Sequence, residues 1–226
     1  ISMKIADYFS SVEKPDSHTI MESVYHYLQI KNFEKAFNIF DENCEWLLNA
    51  GFGAQLYELL IMFDEEKLPD EKKLSLYANG YSVCELIGNM KTCEDCVDKG
   101  LKLSEKLNDI EYKAVFSGNK GLLYSQQGKF DDALKYYQDA LDIAEQLGDI
   151  PNKATMLNNI GSLYTGQGKF DDALSYYKRA KQAFDIDKQL DYSPGKATTL
   201  NNVGFLYYKQ GKFDDALKYY QDALDI

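Results

Sequence analysis

Apolar side chains return along this chain at intervals of three and four, the spacing that keeps them on one face of an α-helix. Residues 4–12 read as a short helix or the end of one, and 14–18, with Pro15 and Ser17, as a loop. From about Ile20 the stripe is Val24, Tyr27 and Leu28. Asn32 interrupts it, and a second stripe runs through Phe33, Ala36, Phe37, Phe40, Cys44 and Leu47 until Gly51 and Gly53 punctuate its end. Segment 56–63 is a short apolar helix, and 67–70, with Pro69, is a breaker before a new helical start. Stripes at 71–88 and 90–107 make a pair. Three more pairs follow: 111–127 with 130–147, 153–167 with 170–186, and 196–210 with 213–226. Gly148-Asp149 with Pro151 closes the 130–147 helix. Alternation of period two is sustained nowhere, so no strands are predicted and the fold class is all-α.

The later pairs are copies of one another. QGKFDDALKYYQDALDI at 127–143 recurs letter for letter at 210–226, and QGKFDDAL opens another copy at 167–174. A fixed-period repeat is the signature of a stacked array. Gly121 to Gly161 is 40 residues and Gly161 to Gly204 is 43; the three extra residues fall in the connector 185–194, where a loop tolerates insertion. Each copy reads helix A, tight turn, helix B. The helix A glycine removes a side chain where two helices approach closely, and Tyr124, Tyr164 and Tyr207 follow three residues on as packing rings. Gly128, Gly168 and Gly211 end helix A in a position suited to left-handed backbone. Phe130, Phe170 and Phe213 open helix B, and the paired aspartates after them place negative charge at its positive dipole end. Ala133, Ala173 and Ala216 face helix A; Ala140, Ala180 and Ala223 face the next pair.

One period back, Gly88, Met90, Cys93 and Gly100 stand where Gly128, Phe130, Ala133 and Ala140 stand, which marks a degenerate copy; a weaker one is visible at 25–47, where Asn32-Phe33 matches Lys129-Phe130. The resulting division is an irregular helical region at 1–70 and an array at 71–226. The array comprises a degenerate copy at 71–110, full copies at 111–150 and 151–195, and a truncated one at 196–226.

The pattern G-x2-Y, G-x-F-x2-A, Y-x2-A resembles the tetratricopeptide repeat, and LNNIGSLY at 157–164 resembles its longer-helix subgroup, found in kinesin light chains and polarity scaffolds. The resemblance implies an α-solenoid of antiparallel helix pairs forming a right-handed superhelix whose concave face is lined by helix A. It further implies a protein or peptide partner, held by positions −3, −2, +1, +4 and +5 from the helix A glycine. Those are Gly118, Asn119, Leu122, Ser125 and Gln126 in the first full copy, and Asn158, Asn159, Ser162, Thr165 and Gly166 in the second. The last copy supplies Asn201, Asn202, Phe205, Tyr208 and Lys209. Asn119, Asn159 and Asn202 form a ladder. A carboxamide has two donors and an acceptor, enough to hold an extended peptide by its backbone; the alternatives are that these residues bond neighbouring helix backbones or are inherited copies of one duplicated unit. Position −3 lacks the lysine with which chaperone-adaptor repeats clamp a carboxylate, so an acidic chaperone tail is not the expected ligand.

Composition narrows the partners. The chain of 226 residues has a net charge of −11, which argues against a nucleic-acid partner. Residues 1–110 carry 11 Lys against 20 Asp and Glu, so the acidity belongs to the first half. No run of eighteen apolar residues suggests a membrane span, and the start lacks a signal pattern, so a cytoplasmic protein is expected. The only histidines, His18 and His26, are not placed beside a nucleophile in any recognisable constellation, and the acidic pairs recur as caps rather than as a unique dyad; no enzyme, cofactor or metal is expected. Cys93 and Cys96 have CxxC spacing. A metal half-site and a redox pair are the sharp readings; because Cys93 takes the place of Ala133, a buried small residue is the reading the repeat register favours.

Two expectations concern the rest of the protein. The run VYHYLQIKNFEKAFNIFDENCEWLLNAG (24–51), then QLYELLIMF and Leu68-Pro69, resembles the helical arm that links nucleotide-binding module and repeat sensor in signal-transducing (STAND-type) NTPase regulators. This chain departs from such an enzyme in having no G-x4-G-K-[ST] loop. The last copy stops within helix B at Ile226. The expectation is either a fragment of a longer array or self-association through the uncapped C-terminal helix, with Tyr220, Ala223 and Leu224 on its open face.

Overall fold

The computed structural model describes residues 3–4, 8, 15–186 and 193–226. Eleven α-helices and no strand occur among the described residues: α1 (Ser17–Gln29), α2 (Phe33–Asn49), α3 (Gly53–Leu60), α4 (Asp70–Leu86), α5 (Met90–Leu107), α6 (Ile110–Gln126), α7 (Phe130–Leu147), α8 (Ile150–Gly166), α9 (Phe170–Ile186), α10 (Ser193–Lys209) and α11 (Phe213–Leu224), with a 3-10 turn at Glu65–Lys67. The fold is an α-solenoid of paired antiparallel helices: α1 packs on α2, α4 on α5, α8 on α9, and α10 on α11. The helix expected at 4–12 lies almost wholly outside the described residues, as do residues 187–192 of the connector.

Several helices begin about one turn earlier than periodicity alone suggests, because a capping residue satisfies the free amides of the first turn. Asp16 accepts from the Thr19 amide at 2.8 Å and starts α1 at Ser17. Asp149 accepts from the Asn152 amide at 3.0 Å and starts α8 at Ile150. Pro151 therefore does not close α7 but sits in the first turn of α8, where a missing N–H costs nothing. Gly53 likewise opens α3 rather than ending α2. A Cβ there would come within 2.9 Å of Leu86, so the glycine lets α3 lie against the end of α4.

The turns within pairs share one geometry. In the α6–α7 turn Gly128 takes φ 72°, its amide donates to the Ser125 carbonyl at 3.0 Å, and the Lys129 amide donates to the Tyr124 carbonyl at 2.9 Å. The same long bond closes α4–α5 (Asn89 to Cys84, 2.8 Å), α8–α9 (Lys169 to Tyr164, 2.9 Å) and α10–α11 (Lys212 to Tyr207, 3.0 Å). It also closes α1–α2, from the Asn32 amide to the Tyr27 carbonyl at 2.9 Å, with Lys31 at φ 59° in the glycine's place. The weak sequence copy at 25–47 thus keeps the turn of the array.

The chain divides into two compact units, Ile1–Tyr112 and Lys113–Ile226. In the first, α3 is an extra helix packed on α1, α2 and α4. Its continuation turns Phe63 edge-on to Phe37 and Phe40, with centroids at 6.4 and 5.5 Å. Val24, Tyr27, Phe40, Leu47, Leu56 and Leu68 complete that core. In the second unit, Ala133, Tyr137 and Leu141 of α7 pack with Leu157, Ile160 and Leu163 of α8, and Ala173 and Tyr177 of α9 pack with Val203 and Leu206 of α10.

Candidate functional site

The A helices of the second unit lie side by side. Gly118 of α6 faces the Met156 thioether of α8, and α8 contacts α10 directly. Each is seated by its glycine. A Cβ on Gly121 would stand 2.6 Å from the Tyr137 ring, on Gly161 2.6 Å from Tyr177, and on Gly204 2.7 Å from Tyr220. The small residue of helix A thus receives the core tyrosine of its own helix B. The other tyrosine of each tandem meets the helix A ring at the edge of the core: Tyr136 lies tilted against Tyr124, while Tyr176 stacks on Tyr164 and Tyr219 on Tyr207, with centroids 5.6, 5.5 and 5.3 Å apart. Lys129, Lys169 and Lys212 lie over the helix A rings.

On this framework the candidate residues fall into three sets. Asn119, Asn159 and Asn202 occupy the same register on α6, α8 and α10 and are half-buried, and among the described residues no side chain hydrogen-bonds their carboxamides. Leu122 is half-buried beside them, Gln126 and Asn201 are exposed. Phe205, Tyr208 and Lys209 gather at the end of α10: the two rings stack at 6.5 Å, the ammonium of Lys209 lies 5.2 Å from the Phe205 centroid, and Phe213 closes on Tyr208 at 5.7 Å. Phe205 and Tyr208 are 45% and 54% exposed.

The remaining residues are engaged by the fold. Asn158 is buried; its Nδ2 donates to Thr199 Oγ1 at 2.9 Å across the α8–α10 contact, while its Oδ1 has no partner. Thr165 is buried because its hydroxyl donates to the Gly161 carbonyl at 2.9 Å and meets the Tyr177 hydroxyl at 3.2 Å. Ser162, though exposed, also meets that hydroxyl at 3.2 Å. Burial pushes the Tyr177 phenol above its ordinary range, and these two bonds pull it part of the way back. In the first full copy burial pushes Tyr137 up to about 12 against a bond from Ser125. The hydroxyl at position +4 is thus a partner of the core tyrosine, a role legible in the pairing of Ser125 and Thr165 with Tyr137 and Tyr177. Sequence reasoning missed Thr199; the available signal was a threonine where the earlier copies have Phe116 and Met156.

The cysteines are packing residues. Cys93 and Cys96 are buried, Cys93 donates to the Tyr81 carbonyl at 3.8 Å, and the Cys96 sulfur fills the space above Gly80. Burial, helped by nearby acidic groups, pushes Cys93 up to about 11 and Cys96 up to about 12, so neither thiol ionises near neutrality. Among the described residues no three His, Cys, Asp or Glu side chains converge on a metal position, and no helix is long and apolar enough to cross a membrane.

A tetratricopeptide repeat family model matches residues 82–146, 112–185 and 152–226. No curated protein matches the chain significantly. Among solved structures, a STAND protein with a tetratricopeptide repeat sensor from Pyrococcus horikoshii superposes with a TM-score of 0.67 at 14% identity, covering 99% of this chain; this chain spans 39% of that protein. NprR in complex with its cognate peptide NprX gives 0.63 at 20% identity, over 93% of this chain and 66% of that one. A putative kinesin light chain from Podosopora anserina, with nearly identical TPR-like repeats, gives 0.55 at 11% identity, over 92% and 93%. At these identities the likeness is one of fold.

Proposed function

Because the chain belongs to the tetratricopeptide repeat family, we propose that it is a non-catalytic interaction module holding a peptide or partner protein along the face of α6, α8 and α10. The observation that carries this reading is the ladder of Asn119, Asn159 and Asn202, half-buried carboxamides with no side-chain hydrogen bond among the described residues. A packing role would engage those groups, as Asn158 is engaged by Thr199. Left open, each can accept from and donate to one peptide unit of an extended ligand. Phe205, Tyr208 and Lys209 then supply an aromatic and cationic end to the face, and Leu122, Gln126, Ser162 and Asn201 its edges. The likeness to NprR, whose structure contains a peptide, supports the same mode. Replacing Asn159 and Asn202 by alanine removes two sets of bonds worth about 0.5–1.5 kcal/mol each. Partner capture by the double variant should fall about tenfold or more with unchanged helicity. Undiminished capture sinks the proposal.

A second reading is favoured by the likeness to the STAND protein, which has a tetratricopeptide repeat sensor. Here the chain is the arm and sensor of a larger signalling NTPase or transcriptional regulator, its first half the arm. Immunoblotting the native polypeptide decides it: a product of about this chain's own mass overturns the reading.

A further inference from the structure

The first unit contains a cleft that the repeat face does not use. The extra helix α3 does not lie flush on α1, and the two leave a cavity of about 270 Å³ between them. Met21 and Tyr25 of α1 and Leu59 and Met62 on the α3 side form its apolar walls. Glu22 and Glu58 line it from opposite helices. Leu59 is the buried floor, the two methionines are half-buried, and Tyr25 is 40% exposed. Glu22 has a histidine beside it, His26 Nε2 at 3.4 Å, whereas Glu58 is exposed and forms no ion pair or hydrogen bond among the described residues. This cleft lies in the half of the chain that carries 20 acidic residues against 11 lysines.

Those features select an occupant. Unbranched methionines adapt to different inserted side chains and are over-used at binding surfaces that accept helices. Carboxylates on both sides repel an anionic surface and attract lysine or arginine, whose aliphatic stems lie along apolar walls while their charges reach the rim. We propose that the α1–α3 cleft is a docking site for a basic amphipathic helix of a partner protein. One apolar side chain enters between Met21 and Met62, and basic residues on the adjoining turns meet Glu22 and Glu58. The site is independent of the asparagine ladder.

The test uses the whole chain with ¹³C-labelled methionine methyl groups, and as probe a synthetic amphipathic helix of leucine and lysine. Titration should move the Met21 and Met62 signals saturably and leave Met90 and Met156 in place; the leucine–glutamate counterpart should move none. The charge-reversed variant E22K/E58K should bind the probe at least about tenfold more weakly. The same reversal in the other unit, D139K/D142K, should leave affinity unchanged. Shifts spread over all methionines, or confined to Met156, overturn the proposal, as does full affinity in E22K/E58K. Should that variant fail to fold, the methionine signals of the unmodified chain decide alone.

Discussion

At the scale of single residues, the recurring Asn119, Asn159 and Asn202 have no side-chain hydrogen bond among the described residues, whereas the glycines and core tyrosines that recur in the three later copies serve packing. Gly161 is the sharpest case. The space its Cβ would fill is occupied by the ring of Tyr177, which is 1% exposed and cannot swing away. Gly161→Ala should therefore destabilise the fold by about 1–3 kcal/mol, read from denaturant unfolding. Gly166→Ala, five residues along the same helix with nothing within 4 Å, should be neutral or stabilising by up to about 1 kcal/mol. The cysteines give a second test. Burial pushes Cys44 and Cys96 up to about 12 and Cys84 and Cys93 up to about 11. Thiol reagents at pH 8 should leave the native chain unmodified and label it after denaturation. Their folded values are raised, so their contribution to stability is intact below about pH 9, where unfolded thiols begin to ionise, and is lost as pH rises towards 11–12. Urea midpoints should fall over that interval.

At the scale of the element, caps and turns decide where helices begin and end, whereas stripes decide only that they exist. Gly148 at φ 68° followed by the cap Asp149 directs the chain from α7 into α8, and Asn108 at φ 55° followed by Asp109 does the same from α5 into α6. Asp149→Ala should cost about 0.5–2 kcal/mol, the usual range for a lost N-cap, with helicity reduced at the start of α8 in amide hydrogen exchange. The repeated Asp131-Asp132, Asp171-Asp172 and Asp214-Asp215 occupy the first turns of α7, α9 and α11, where the dipole stabilises them. That position explains why they recur in the three later copies.

At the scale of the whole molecule, charge sets the class of partner. With a net charge of −11 and its acidity concentrated in the first 110 residues, the chain as a whole is expected to repel a phosphate backbone. Mobility-shift titration with duplex DNA at physiological salt should show no complex at micromolar protein. An acidic surface instead favours basic polypeptide segments, and the two proposed sites differ in how they would hold one. The asparagine face reads a backbone, whereas the α1–α3 cleft reads an apolar side chain flanked by positive charge.

The fold class, the pairing of helices and the turn glycines can be read from the amino-acid order alone, and the repeat register favours a packing role for Cys93. Each is a local consequence of periodicity or backbone geometry, repeated until chance is excluded. The repeat register also indicates the candidate face that α6, α8 and α10 share. Which residues of that face are open depends on how the helices pack. Asn158 and Asn159 are neighbours of identical chemistry, yet a helical step of about 100° turns one into the α8–α10 contact with Thr199 and leaves the other's carboxamide without a side-chain partner. Thr165 was withdrawn from the face by its bonds to the Gly161 carbonyl and the Tyr177 hydroxyl, the latter from a residue on the other helix of its pair. The α1–α3 cleft was illegible for the same reason: it is a gap between helices, and a gap has no letters of its own.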